Sequence, residues 1–544
     1  MKNCIRYFLI LLPFLANAQG NLKASLDKAK NYVKEVKLDK STVSQQLSYD
    51  NAAPYNLKLA ITTTDAKGKS TEETYEFNLA LISDIKRSTS SKEMKVELST
   101  QKNLKVIRYT KGGEMQNYAN ELELLSENID DSRELEKHLK DAMAAAKPAW
   151  EASIKLPKDD LLALQNYFEQ NIKEVSFDKT SAKQNFKKST TYKDRATLVV
   201  QENDGKKTTD LQSDFSWGDF NENGAELKIS GKEVSVIVKA KNDYIKTQQG
   251  NTVKGYDDEI KILTATPNEG AILLMAIQKI IPLAKKELQA RVPKVSTKDE
   301  AFKVLKNRLK DFKVNESAYT QQIDPFCLTT YRLKSEVKGK TIEETFAFNF
   351  GDLTDYKIAV SKEIVRISAK VVDNKKYIQY TKDGLLQNYE NSLDFLVADI
   401  EDARYLLEAL SVLSNTCKGN ISVGDFNWLV NTLKVVENPK QTLTLQEGDK
   451  CKWKLSNSLA ESKKTVELVS EWNLYDIDPK KIEVDVSGKT VSITGYTLNK
   501  EKFIKQTKDT KPGFANEINL MVNTIAEAQK GVATFKSLVE ACKK

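Results

Sequence analysis

The sequence predicts an α+β protein of four tandem units, each a helix, a four-stranded antiparallel sheet and a second helix, arranged as two homologous halves. Three observations predict this fold. Two short aromatic motifs occur four times each, amphipathic helical patterns flank every copy, and alternating apolar residues lie between the helices. A residue type that recurs four times in one chain is interpreted as serving the fold.

The two motifs mark corresponding points in the units. The first reads YANEL at 118–122, YDDEI at 256–260, YENSL at 389–393 and FANEI at 514–518. The second reads FNLALI at 77–82, FSWGDF at 215–220, FNFGDL at 348–353 and WNLYDI at 472–477. Its apolar first, third and sixth positions are typical of a half-buried strand that runs into a turn. The acid at position five is Asp219, Asp352 or Asp476 but Leu81 in the first copy, so we interpret it as a turn cap.

Longer alignments group the units in pairs. GKSTEETYEFN at 68–78 matches GKTIEETFAFN at 339–349, which gives a gapless offset of 271 residues between the first and third units. ISGKEVSV from Ile229 matches VSGKTVSI from Val486, which relates the second unit to the fourth. This pattern indicates two successive duplications. The predicted units are residues 19–147, 148–292, 293–418 and 419–544, with proline-bearing joints at two of the boundaries.

Each unit is predicted to begin and end with a helix. Opening helices are predicted at 22–36, 159–173, 297–312 and 422–436, and closing helices at 130–146, 268–288, 400–416 and 524–542. Thr297 with Glu300, and Ser422 with Asp425, have the spacing of capping boxes. A sheet with one polar face needs helical cover only on the other. The arrangement is similar to the helix-on-sheet units of the TATA-binding-protein-like fold class, but no motif of that family is present and no nucleic-acid function is inferred.

The N-terminus reads as a cleaved secretory signal. Lys2 and Arg6 precede an apolar run over residues 7–15, and Ala16–Asn17–Ala18 forms an A-x-A site. The run is too short for a membrane-spanning helix, and Cys4 lies ahead of it, away from the site where a lipid anchor is attached. We therefore expect an exported chain, periplasmic or extracellular, with no transmembrane segment after cleavage.

Composition favours ordinary globular cores and no polyanionic partner. Loss of Lys2 and Arg6 with the leader lowers the formal charge from +8 to +6, and lysines alternate with acids along the chain. The 40% apolar content supports several packed domains. The predicted partner is an envelope protein or glycan, with an apolar small molecule or lipid as the alternative.

Four cysteines lie beyond the leader, all in the second half. Cys327 and Cys417 are 90 residues apart, and Cys451 and Cys542 are 91 apart. Four cysteines allow three pairings, but equivalent positions in repeated units should make equivalent contacts. We predict disulfides between Cys327 and Cys417 and between Cys451 and Cys542, as expected after export. The gapless offset places Asn56 and Ala146 where the first pair stands. A zinc site would need close pairs of the C-x-x-C type, which are lacking.

Catalytic constellations are poorly supported. His138 is the only histidine, and Ala409 stands at its counterpart, so a surface helix position is favoured over nucleophilic catalysis. Adjacent carboxylates at Glu72–Glu73 and Glu343–Glu344 point to opposite faces of a predicted strand, which disfavours a glycosidase pair. The acids at 257–259 and 128–131 lack the ligand spacing of a calcium loop.

The remaining candidates are aromatic or apolar. Trp150, Trp217, Trp428 and Trp453 do not recur, and burial at unit joints is the favoured interpretation. The closing helix of the second unit is apolar nearly all round, so it is either buried on several sides or one wall of a lipid pocket formed by residues 271–283. The leading prediction is an exported non-catalytic scaffold or binding protein without cofactor or metal. A carrier of an apolar molecule is second, and a carboxylate-based hydrolase third.

Overall fold

The computed structural model describes residues 20–89, 93–419, 421–460 and 464–544. The chain divides into two compact units, of which the first ends at Arg291 and the second begins at Val292. This division lies one residue from the predicted boundary between the two halves. The predicted signal peptide at 1–18, including Cys4, lies outside the described residues. Each unit contains two blocks with the same order of elements.

The first block begins with α1 over residues 20–30 and closes with α2, whose N-cap is Asn128. Its elements are β1 (Val36–Leu38), β2 (Ser41–Tyr49), β3 (Asn56–Asp65), β4 (Ser70–Asn78), β5 (Ile82–Thr89), β6 (Met94–Thr100), β7 (Arg108–Lys111), β8 (Glu114–Met115), β9 (Glu121–Ser126) and α2 (Ile129–Ser153). The closing helix extends seven residues beyond the predicted C-terminal end, because Pro148 is accommodated inside it.

The second block completes the first unit. Its elements are α3 (Leu161–Asn171), β10 (Val175–Phe177), β11 (Thr180–Lys188), β12 (Arg195–Asn203), β13 (Thr208–Ser216), β14 (Phe220–Ser230), β15 (Glu233–Ala240), β16 (Ile245–Gln249), β17 (Thr252–Asp257), β18 (Glu259–Thr264) and α4 (Pro267–Arg291). Helix α4 lies in the core: Ile277, Ile280 and Ile281 have no exposed surface and belong to the same apolar cluster as Trp217.

The second unit repeats this order of elements, except that the fourth block has eight strands instead of nine. Its third block has α5 (Lys298–Arg308), β19 (Phe312–Val314), β20 (Ser317–Ile323), β21 (Leu328–Val337), β22 (Lys340–Asn349), β23 (Leu353–Ser361), β24 (Ile364–Val371), β25 (Gln379–Lys382), β26 (Leu385–Leu386), β27 (Ser392–Val397) and α6 (Ile400–Thr416). Its fourth block has α7 (Phe426–Lys434), β28 (Lys440–Gln446), β29 (Asp449–Ala460), β30 (Thr465–Asn473), β31 (Ile477–Ser487), β32 (Thr490–Thr497), β33 (Ile504–Lys508), β34 (Lys511–Ala515), β35 (Glu517–Val522) and α8 (Ile525–Cys542).

The strands of every block form two antiparallel sheets. The large sheets have the orders β1-β2-β3-β4-β7-β8, β10-β11-β12-β13-β16-β17, β19-β20-β21-β22-β25-β26 and β28-β29-β30-β33-β34. The small sheets have the orders β5-β6-β9, β14-β15-β18, β23-β24-β27 and β31-β32-β35. Strands account for 48% of the described residues and helices for 29%, so this part of the chain is mostly β.

The predicted fold, with one four-stranded sheet per unit between two helices, is therefore wrong. The error arises at the second motif. Its pattern predicts a strand that ends in a turn and is followed by the next strand of the same sheet. In the first block β4 ends at Asn78, a 3-10 turn covers Leu79–Leu81, and the next strand, β5, starts a separate sheet. Alternation of apolar residues continues on both sides of the turn, so the pattern carries no sign that the chain has changed sheets.

The cap of this turn is the residue at position two of the motif, and the predicted cap at position five is wrong. Asn78 Oδ1 accepts a hydrogen bond from the Ala80 N–H at 2.9 Å. Ser216, Asn349 and Asn473 accept the corresponding bond in the other blocks. The acid at position five is the last residue of the turn and does not cap it.

Helix starts illustrate what local spacing predicts well. The capping box of Thr297 and Glu300 is confirmed, with both reciprocal hydrogen bonds present. The box predicted for Ser422 and Asp425 is wrong, because Asp425 is itself the N-cap and accepts from the Trp428 N–H at 2.7 Å. The two spacings look alike in sequence, and the shorter observed helix decides between them.

A buried glutamine joins the two sheets in three of the blocks. Gln184 on β11 donates through Nε2 to the Leu263 carbonyl on β18 at 2.9 Å and accepts from the Leu263 N–H at 2.8 Å. Gln45 makes the same pair of bonds to Leu125, and Gln441 to Met521. The glutamine thereby satisfies the free edge of the small sheet, whose backbone groups would otherwise be buried without partners.

Candidate functional site

The four cysteines join the ends of closing helices to the large sheets. Cys327 is bonded to Cys417 and Cys451 to Cys542, the two pairs predicted from the equivalence of the repeated units. Cys417 is the C-cap of α6, and Cys542 is the last residue of α8. Both bonds are cross-links between a strand start and a helix end, so they fix the fold and are not available as nucleophiles.

The first unit uses other chemistry at the same place. Asp194 and Cys327 each precede the residue that pairs with the cap of the 3-10 turn, and so does Tyr55. Tyr55 shares a 2.8 Å hydrogen bond with Ser153, and Asp194 forms an ion pair with Arg291. The counterpart of Cys327 is thus Tyr55 and not Asn56, because the first hairpin is one residue longer than the gapless alignment allows.

The candidate catalytic residues are engaged in packing. His138 stacks on Tyr32 with ring centroids 5.9 Å apart, and its Nε2 lies 3.6 Å from Glu134 Oε2. Glu73 Oε1 accepts hydrogen bonds from Tyr109 and from Lys111, both at 2.8 Å. Burial alone would raise the pKa of Glu73, but these two donors outweigh it and lower the pKa.

The corresponding acid of the third block has a similar environment. Glu344 Oε1 accepts from the Tyr380 hydroxyl at 2.6 Å, and the Tyr380 ring stacks on Phe346 at 5.0 Å. In the first block Tyr109 stacks in the same way on Tyr75, at 4.9 Å. These glutamates therefore hold a stacked aromatic pair between two strands.

The predicted metal candidates are also accounted for. Asn128 is the N-cap of α2 and accepts from the Asp131 N–H at 2.8 Å, as expected of acids at a helix start. Burial, with Asp258 and Asp243 nearby, raises the pKa of Asp257. Within the described residues, no group of three or more histidine, cysteine or acidic side chains is arranged to hold a metal ion.

The tryptophans lie where burial was expected, with one exception. Trp217 and Trp453 have no exposed surface, and Trp150 is 5% exposed. Trp428 is partly exposed, and Lys530 Nζ lies 4.5 Å from the centre of its ring.

None of the helices in the described part of the chain is long and apolar enough to cross a membrane.

A cleft of about 540 Å³ lies at the joint between the two blocks of the first unit. The joint is closed by the Asn78 Nδ2 bond to Asn268 Oδ1 at 2.8 Å and by the Tyr118 N–H bond to the Gly231 carbonyl at 3.2 Å. These contacts bring together Asn78 of the second motif, Tyr118 of the first motif and Gly231 in the hairpin between β14 and β15. The repeated segments of the sequence thus meet around the cleft.

The floor of this cleft is apolar and its rim is charged. Its apolar lining consists of Leu57, Phe77, Leu81, Val106 and Tyr118. On the rim, Glu76 lies 3.1 Å from Arg108 Nη1 and 3.6 Å from Lys58 Nζ. All three charged side chains are roughly half exposed, so they are available to a ligand or partner at little cost in lost ion-pair energy.

A second cleft, of about 370 Å³, lies at the corresponding joint of the second unit. The Tyr389 N–H donates to the Gly488 carbonyl at 3.0 Å, in the manner of Tyr118 and Gly231. Phe348, Tyr377 and Tyr389 line the cleft together with Asp352. Asp352 Oδ1 accepts a hydrogen bond from Gln529 Nε2 at 3.0 Å.

The chain matches no protein-family model and no curated protein. The two clefts are therefore the structural basis for a proposed function.

Sequence reasoning missed both clefts. Each cleft takes four of its lining residues from the two recurring motifs, and recurrence favours the interpretation that these positions serve the fold. The one available signal was variation inside the motif, because position five is Leu81 in the first cleft and Asp352 in the second.

Proposed function

We propose that the protein is an exported, non-catalytic binding protein that uses the cleft of its first unit to hold a segment of an envelope protein or glycan. The observation that carries this proposal is the cleft itself. Its volume of about 540 Å³ lies within the range of ligand-binding sites, which are commonly apolar cavities with a few polar groups at the edge. The charged rim of Lys58, Glu76 and Arg108 would orient the bound segment.

Export is supported by the cross-links. Two disulfides are compatible with a periplasmic or extracellular location, where thiols are oxidised. The signal peptide at 1–18 stays a prediction. The non-catalytic assignment is supported by the engagement of Glu73 and Glu344 in tyrosine pairs and by the packing role of His138.

The carrier alternative receives less support. The middle of the proposed lipid wall, at Ile277, Ile280 and Ile281, is fully buried in the core of the first unit. A carried apolar molecule would have to use the floor of the first cleft instead. Native mass spectrometry of the purified protein distinguishes the two functions, since a carrier retains lipid and a binding protein of the proposed kind does not.

The cleft is tested by filling it. Leu81→Trp adds a large side chain to the floor, and Leu211→Trp, at an exposed position of β13, is the matched control. The probe is a panel of peptidoglycan fragments and envelope-derived peptides, with binding read by thermal shift. We expect a hit that the wild type and Leu211→Trp share and that Leu81→Trp loses. Equal binding by all three proteins would refute the cleft as the site.

A further inference from the structure

The cleft of the second unit has a composition unlike that of the first. Where the first has Leu81 in its floor and the charged residues Asp50, Lys58, Glu76 and Arg108 in its lining, the second has Asp352 as the one charged residue among the described residues that line it. Three aromatic rings, of Phe348, Tyr377 and Tyr389, line the same space. The acid therefore lies among aromatic rings, and no cation among the described lining residues balances its charge.

The surroundings of Asp352 leave this carboxyl without a charged partner. Among the described residues, Asp352 accepts a hydrogen bond from the neutral amide of Gln529 and forms no ion pair, and burial raises the pKa of the carboxyl. Outside the lining, Glu483 and Asp373 act on Tyr377, and Glu483 is paired with Lys375 at 3.5 Å. Burial together with Asp352, Glu483 and Asp373 raises the pKa of the Tyr377 hydroxyl to about 12. Burial of Tyr389, with Glu527 close to it, raises the pKa of that hydroxyl as well.

From this geometry we infer that the second-unit cleft binds a small organic cation, an ammonium group held against Asp352 and between the rings of Tyr377 and Tyr389. A buried carboxylate is stabilised when a cation pairs with it. Aromatic faces attract ammonium groups within about 6 Å, and quaternary or alkylated amines are recognised in this way. A volume of about 370 Å³ admits a ligand of modest size.

This site lies in the other unit from the cleft of the proposed function and does not depend on it. The first cleft is a control inside the same molecule. It has Leu81 at the position of Asp352 and two cations on its rim, so it should not bind an ammonium ion.

The experiment is isothermal titration of the full exported chain with tetramethylammonium and butylammonium at pH 8, and with butyrate as the anionic control. We expect both cations to bind with a 1:1 stoichiometry and butyrate not to bind. Asp352→Asn keeps the shape of the side chain and the Gln529 contact, and should weaken cation binding at least tenfold. Tyr377→Leu should weaken tetramethylammonium binding, and Leu211→Asn, at an exposed position of β13 in the first unit, should leave cation binding unchanged.

The pH dependence gives a second measurement. The cation binds the ionised carboxyl, so affinity should fall as the pH is lowered through the raised pKa of Asp352 and should be nearly lost at pH 3. Asp352→Asn should remove this dependence. Failure of both cations to bind at millimolar concentration, or equal affinity of wild type and Asp352→Asn, overturns the inference. A circular dichroism spectrum identical to wild type shows that the variant is folded.

Discussion

Arg291 and Asp194 form a two-bond ion pair inside the first unit, with Nε 2.7 Å from Oδ1 and Nη2 3.0 Å from Oδ2. Asp194 has no exposed surface, and Ser216 Oγ donates to the same carboxylate at 2.5 Å. The Arg291 guanidinium also stacks on the Tyr192 ring. The pair connects a strand start to the last residue of α4, the place where disulfides lie in the second unit. The start of a strand is therefore joined to the end of the closing helix by an ion pair in the first unit and by disulfide bonds in the second.

Removing one partner of the ion pair should be strongly destabilising. Asp194→Ala leaves the Arg291 charge buried without its partner, which typically costs about 3–5 kcal/mol of unfolding free energy. Hydrogen exchange in increasing denaturant, measured in the unit that carries each substitution, gives the loss of unfolding free energy. Arg332→Ala removes a partly exposed pair with Asp324 and should cost less than about 1 kcal/mol. Similar losses for the two variants would contradict the structural role of the buried pair.

Reduction of the disulfides should weaken only the second unit. Each bond closes a loop of about 90 residues, which corresponds to roughly 4 kcal/mol by the chain-entropy estimate. The described residues of the first unit include no cysteine. Hydrogen exchange with and without reductant should show faster exchange beyond Val292 and unchanged exchange before Arg291. Non-reducing peptide mapping checks the pairing, and a Cys327–Cys451 peptide would contradict it.

The glutamine between the sheets should contribute more than its exposed neighbours. Gln184→Ala leaves the N–H and carbonyl of Leu263 without their side-chain partner, and the expected cost is about 3 kcal/mol, since each unsatisfied buried group costs about 1–3 kcal/mol. The matched control is Gln201→Ala on the next strand, where the side chain is exposed and the effect should stay within about 0.5 kcal/mol. Urea denaturation of both variants provides the comparison. Equal unfolding free energies of the two variants would contradict the proposed role of Gln184 in joining the two sheets.

Gly351 should be irreplaceable for steric reasons. A Cβ at this position would lie 2.4 Å from the Cys417 carbonyl oxygen, a backbone atom at the end of α6. Gly351→Ala therefore has to displace the helix end, at a cost of about 2 kcal/mol or more. Gly419→Ala, whose added Cβ would meet nothing within 4 Å, should be close to neutral. Thermal unfolding at fixed pH compares the two, and a wild-type Tm for Gly351→Ala would show that the contact is looser than described.

Asp352 should make stability depend on pH in a defined direction. Its pKa is raised by burial, so the folded state binds the proton more tightly than the unfolded state. The carboxyl therefore has no effect below its unfolded pKa, and it destabilises the fold progressively as the pH rises through the folded pKa. Without ligand, Asp352→Asn should raise the Tm at pH 7 and leave it unchanged near pH 3. A lower Tm at pH 7 would indicate that the ionised form is stabilised in the fold.

Sequence reasoning succeeded where the determining contacts are close along the chain or repeated. The dipeptides Gly112–Gly113 and Asp383–Gly384 are typical of hairpin turns. They lie between β7 and β8 and between β25 and β26, with positive φ at all four residues. The capping box at Thr297 needs only three residues of local backbone. The two disulfide pairs followed from comparison of equivalent positions, because each cysteine has a counterpart at the same spacing.

It failed where the partner is remote. The two-sheet arrangement depends on which edge β7 joins, and β7 pairs with β4 across the whole of β5 and β6. The Tyr55–Ser153 and Asp194–Arg291 contacts join residues about a hundred positions apart and of unlike type, so no motif announces them. The clefts were hidden because their lining residues are far apart in the chain, and the four that each cleft takes from the recurring motifs are explained by the fold.

By itself, the sequence determined the hairpin turns, the capping box at Thr297 and the cysteine pairing, all of which follow from local residue patterns and from comparison of the chain with itself. The tertiary structure alone decided how the strands divide between sheets, and it alone placed an acid among aromatic rings in one cleft and leucine in the other. The physical reason is that periodicity records which face of an element is buried, whereas the identity of the covering element depends on contacts across tens of residues.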